Sequence, residues 1–87
     1  MRRSNRKIEE DQPYRGGLYR TVEGNILEIH DTCEGYDFTL YDKDMNDIDG
    51  GVLEGQDWLS EEVVISEALA FTGHEEERQG IQKCVEY

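Results

Sequence analysis

The stretch Gly35-Tyr36-Asp37-Phe38-Thr39-Leu40-Tyr41-Asp42-Lys43-Asp44-Met45-Asn46-Asp47-Ile48-Asp49-Gly50-Gly51-Val52-Leu53-Glu54 decides the fold. Tyr36, Phe38 and Leu40 alternate with Asp37, Thr39 and Tyr41, the period-two pattern of a strand with one apolar face. Asp42 through Asp47 form a polar turn, because Asp and Asn side chains readily bond nearby backbone. Ile48, Gly50 and Val52 resume the alternation, so the whole stretch reads as a hairpin. If the two apolar faces coincide, Leu40 opposes Ile48, Phe38 opposes Gly50 and Tyr36 opposes Val52, which lets a ring cover a glycine. That register gathers Thr39, Tyr41, Asp47 and Asp49 on the other face.

Upstream, Leu18-Tyr19-Arg20-Thr21-Val22 and Ile26-Leu27-Glu28-Ile29-His30 flank Glu23-Gly24-Asn25 and predict a further hairpin, joined to the first through the turn Thr32-Cys33-Glu34-Gly35. Downstream, Ser60 is a helix cap, Glu61 and Glu62 suit the positive helix end, Val64, Ile65, Ala68, Leu69 and Phe71 form a stripe, and Gly73 ends the helix. Glu75-Glu76-Glu77-Arg78 starts a short second helical turn, and Ile81 to Tyr87 alternates weakly, as an edge strand does. The expected fold class is α+β: an antiparallel meander of about four strands with one helix packed on one face and room for a C-terminal edge strand. Residues 14–87 make this single domain, and residues 1–13, with Arg2, Arg3, Arg6 and Lys7, read as a flexible basic arm.

Composition sets the limits. Leu, Ile, Val and Phe supply nineteen of the 87 residues, just above the roughly 20% below which a highly charged chain stays disordered. The core is therefore small. The formal charge is -12, and it is unevenly spread. Residues 1–20 carry six cations and three acids, whereas residues 21–87 carry three cations and eighteen acids. Such a body repels phosphate backbones and anionic membranes, so direct nucleic-acid binding by the acidic part is excluded and a basic protein surface is the favoured partner. No apolar run long enough for a membrane span or a secretory signal is present, and the expected location is the cytoplasm.

Few constellations suggest chemistry. Asp42-x-Asp44-x-Asn46 matches the start of a calcium loop, but Asp47 stands where the sharp turn needs Gly and Leu53 where the bidentate acid belongs, so an acidic hairpin turn is the better reading. A zinc set of His30, Cys33, His74 and Cys84 has no ordinary ligand spacing, and the two cysteines read as reduced thiols. Nucleophile motifs and phosphate-cradling loops are absent, and the solvated acids lack the apolar setting that keeps a catalytic acid neutral. The expectation is a protein without enzymatic activity, cofactor or metal.

What remains is the carboxylate array itself. Same-face residues of a strand lie about 6.8 Å apart, a spacing comparable to that of phosphates along a nucleic acid. Asp37, Asp42, Asp44, Asp47, Asp49 and Glu54, with Tyr41 beside them, are the candidate partner-binding residues. Trp58 and Tyr19 are further candidates, either as interface anchors or as caps on the core.

The segment Gly35 to Glu54, with Tyr-Asp-Lys-Asp followed by Ile-Asp-Gly-Gly, and the helix from Ser60 to Gly73-His74 together resemble a small domain of mobile elements from gut Firmicutes, one of the large polyvalent protein-associated domains. The resemblance carries over no catalytic residue. It implies a context, since such domains travel with conjugative elements and phages, often near proteins that disarm host DNA defences. The expected function is then a noncatalytic acidic inhibitor, a nucleic-acid mimic in the basic groove of a host nuclease such as a restriction or CRISPR effector. The alternative is an accessory interaction module of a conjugative element. Oligomeric state is left open.

Overall fold

The computed structural model describes residues 14–54 and 59–87. The basic arm of residues 1–13 and Trp58 lie outside them. Strands β1 (Gly16–Arg20), β2 (Ile26–Thr32), β3 (Gly35–Tyr41) and β4 (Asp47–Glu54) precede helix α1 (Glu61–Thr72), a 3₁₀ turn (Glu75–Arg78) and strand β5 (Gln82–Glu86). The sheet order is β4-β3-β2-β1-β5, and every pairing is antiparallel. The fold is the expected α+β meander. β5 lies along the free edge of β1, so the chain crosses the sheet by way of the helix before its last strand.

Helix α1 begins where the sequence allows it to. Ser60 is extended (φ -78°, ψ 160°) and its side chain accepts from the Val63 backbone N–H, while Gly73 closes the helix in the left-handed conformation. Val64, Ile65, Ala68 and Leu69 are buried against Tyr19, Leu27, Ile29, Tyr36, Phe38 and Leu40 of the sheet. At about 25 cal/mol per Å2 of apolar surface, each fully buried aliphatic or aromatic side chain here contributes on the order of 2 kcal/mol. Phe71 differs from the expected stripe: it is 59% exposed. Its ring instead sits edge-on to Phe38, with centroids 5.3 Å apart.

The β3–β4 register departs from expectation by one residue. Tyr41 does pair with Asp47, but beyond it Leu40 pairs with Asp49, Phe38 with Gly51 and Tyr36 with Leu53. Ile48 is thus the extra residue of a β-bulge. The bulge exchanges the two faces of β4. Ile48 and Val52 turn outward, at 43% and 42% exposure, and Leu53 joins the core in their place. The glycine covered by a ring is Gly51, not Gly50. A Cβ at Gly51 would lie 2.8 Å from Phe71 Cε1 and 3.0 Å from Phe38 Cζ. Asp49, expected beside Thr39 and Tyr41, is carried to the helix side of the sheet.

β5 carries a matching irregularity. Leu18 pairs with Val85 and Tyr19 with Lys83, so Cys84 is an extra residue too. Both outer strands are therefore bulged, a device that discourages edge-to-edge pairing with another chain.

Gly35, at the β2–β3 turn, has φ +139°, and a Cβ there would fall 1.9 Å from the Leu53 carbonyl oxygen. Gly73 has φ +79°, and a Cβ there would meet nothing within 4 Å. Gly35→Ala is expected to cost at least about 2 kcal/mol in urea denaturation, because backbone must move, and Gly73→Ala about 1 kcal/mol from the left-handed conformation alone. Equal costs would show that the close approach at Gly35 is unimportant.

Candidate functional site: the open face of the sheet

Because strand residues alternate, the register assigns a set of side chains to the face opposite the helix. No described element lies over that face. Arg20, Ile26, Tyr41 and Asp47 form one cross-strand row, Leu18, Glu28, Thr39 and Gly50 the next, then Gly16, His30, Asp37 and Val52, and finally Thr32, Gly35 and Glu54. Each row holds one acid: Asp47, Glu28, Asp37 and Glu54. Successive rows are about 6.8 Å apart.

Glu28 sits at the centre. Its Oε1 accepts from Tyr41 Oη at 3.1 Å, and its Oε2 accepts from Tyr87 Oη at 3.1 Å and His30 Nε2 at 2.9 Å. A carboxylate only accepts, so the His30 Nε2 carries the proton of that bond. Tyr87 also stacks on His30, with ring centroids 4.9 Å apart and planes 20° from parallel. Partial burial pushes the Glu28 carboxyl up, but the hydrogen bonds from His30, Tyr87 and Tyr41 outweigh it and hold the group below its ordinary value. Tyr41 and Tyr87 shift upward in turn, first through desolvation and then through their bonds to Glu28. The result is a preorganised aromatic and acidic cluster on an otherwise open surface.

The expected array divides. Asp37, Asp47 and Glu54 share the open face with Tyr41. Asp42 instead ties its own turn. Its Oδ1 accepts from the backbone N–H of Asp44 and Asn46, and its Oδ2 from Asn46 Nδ2. The Asn46 backbone bond is the main reason its pKa is lowered. The turn is completed by Met45 at φ 66°, so the Asp-x-Asp-x-Asn spacing serves hairpin geometry. Asp44 projects from the turn, and Asp49 lies on the opposite pleat with its Oδ1 accepting from the Gly50 N–H at 2.8 Å.

Two features escaped the sequence. Glu28 stands between Leu27 and Ile29, which marks it as outward-facing, but nothing local joins it to Tyr87, 59 residues away. Glu77 belongs to the expected short helical turn Glu75–Arg78, yet nothing in that segment marks it for burial, and it is 4% exposed. It accepts from Asn25 Nδ2 at 2.9 Å and is bonded to the His74 ring, so it pins the 3₁₀ turn to the β1–β2 turn. Tyr19 is core. Its hydroxyl donates to Glu61 Oε2 at 2.8 Å and contacts the Tyr14 hydroxyl, and Lys83 reaches the same Glu61 oxygen at 2.9 Å.

His30, Cys33, His74 and Cys84 do not converge, and both cysteines are unpaired and exposed. The only close set of donor atoms among the described residues is His74, Glu76 and Glu77. In it Glu77 already accepts from protein donors.

The family profile of large polyvalent protein-associated domain 16 matches residues 15–86, from the start of β1 to the end of β5. The chain belongs to this family. The match thus covers every strand and the helix, more than the hairpin and helix that carried the resemblance in sequence. No curated protein and no solved structure matches the chain. Among the described residues, no helix is long and apolar enough to cross a membrane.

Burial favours a protonated Glu77, but the bonds from Thr21, Asn25 and His74 prevail and lower its pKa. A group lowered in the folded state contributes stability above its unfolded value, near 4.5, and loses it as the pH falls through the folded value. Glu77→Gln is therefore expected to cost about 2 kcal/mol at neutral pH and to flatten the loss of stability on acidification below about pH 4.5, read by urea denaturation across pH. An unchanged acid limb would show that Glu77 plays no part in it.

Proposed function

We propose that this domain is a noncatalytic acidic protein that binds a basic surface of another protein through the open face of its sheet. The observation that carries this reading is the row-by-row placement of Asp47, Glu28, Asp37 and Glu54 on one uncovered face. Seventeen acids among the described residues, against Arg15, Arg20, Lys43, Arg78 and Lys83, add a long-range field of the same sign. Such a field speeds encounter with a basic partner and repels polyanions. Lys83 is already paired with Glu61 and Glu86.

In its narrower form the reading makes the domain an inhibitor in the nucleic-acid groove of a host defence nuclease, restriction or CRISPR effector, with the carboxylates standing where phosphates would lie. The row spacing of about 6.8 Å, two phosphate steps along one strand of a duplex, supports it, with the acids of successive rows also offset sideways by one or two strands. So does membership in a family named for its association with large polyvalent proteins, in keeping with a mobile-element context. The second reading is an accessory interaction module of a conjugative element. It is favoured by Val52 and Val85, which the register puts on the same open face and leaves 42% and 44% exposed.

Competition separates the two. An inhibitor of this kind displaces duplex DNA from the nuclease it targets, with affinity that falls steeply as salt rises. Replacing Asp37 and Asp47 by Asn and Glu54 by Gln together is expected to weaken that displacement about tenfold or more. If binding ignores salt and this triple variant but is lost in Val52→Ser, the accessory-module reading replaces the mimic.

A further inference from the structure

We propose that Glu28, His30, Tyr41, Tyr87 and Asp37 form the anchor point of the open face and take an arginine side chain from an extended basic segment of a partner protein. This inference rests on the basic-partner reading and specifies the group recognised. Four observations lead to it. First, both sheet edges are bulged, at Ile48 and Cys84, so a partner gains little by adding a strand and must lie on the face. Second, the face is acidic in a strongly acidic molecule, so charge opposes a second copy, a nucleic acid or an anionic membrane and favours a cation.

Third, the His30–Tyr87 stack presents a flat ring surface, and Tyr87 and the His30 side chain are 43% and 54% exposed. A guanidinium is planar, weakly hydrated and stacks on aromatic faces, whereas an ammonium does so less well. Fourth, Glu28 has used three of its roughly four acceptor positions on Tyr41, Tyr87 and His30, which fixes the rings before any ligand arrives. Asp37 is exposed and pairs with His30 across the strands. It is the carboxylate left to meet the guanidinium fork. Rings already locked by Glu28 need not be ordered on binding, which limits the entropic cost.

The test uses the full chain and two fluorescent probes of equal length and charge, hexa-arginine and hexa-lysine, titrated by anisotropy at low salt. The arginine probe is expected to bind about fivefold tighter, a preference matching one exposed cation–aromatic contact. Tyr87→Ala and Asp37→Asn should each remove most of that preference while leaving the lysine probe within about twofold. Tyr87→Ala removes a 43% exposed side chain that lies outside the core, so a loss through it is not a loss of folding. Equal affinity for both probes, or an arginine preference untouched by Tyr87→Ala, overturns the anchor while the basic-partner reading stands. Failure of both probes to bind overturns both.

Discussion

One helix of three turns closes one side of a five-stranded sheet, and little apolar material remains for the other. Among the described residues ten buried apolar side chains make the core, six from the sheet and four from the helix. Everything outside that sandwich must be made compatible with water by polar groups. This constraint explains why the open face is built from Glu28, Thr39, His30, Asp37 and Tyr41 rather than from a second apolar layer. It also explains why the same face is the surface best placed to meet a partner.

The acids of this chain do different physical jobs. Asp42 holds a turn, Glu77 holds a helical turn against a hairpin, and Glu61 ties the start of the helix to Tyr19 and Lys83. Glu28 organises three rings. Only the remainder, among them Asp37, Asp47 and Glu54, is left to act on the surroundings. A count of negative charge therefore overstates how much of it is available for recognition. The available part is narrower and more directional, because the sheet register lines it up along one face.

Much of the fold was legible because it depends on local periodicity. Alternation marked β3, the Ser60 cap and Gly73 bounded the helix, and the Asp- and Asn-rich segment gave the β3–β4 turn, since each of these signals acts within a few residues. The β3–β4 register failed at one place. Tyr41 opposite Asp47 obeys the expected parity, but the bulge at Ile48 does not announce itself in the sequence. It brings Leu53 to the core and Gly51 against Phe71 of the helix, a contact between segments some twenty residues apart. Once the bulge forms, Asp49 and Val52 trade sides, and the expected carboxylate array divides with them.

By itself, then, the sequence determined the order of the elements, the one apolar face of β3, the small core and the sign of the field around the molecule. All of these follow from composition and near-neighbour spacing. Tertiary structure alone decided which acids stand together. The Glu28 cluster needs β2, β3 and Tyr87, just beyond β5, at one point, and the burial of Glu77 needs the β1–β2 turn folded against it. Such contacts are set by how sheet and helix pack, and a one-residue shift in pairing is enough to move a side chain from one face to the other.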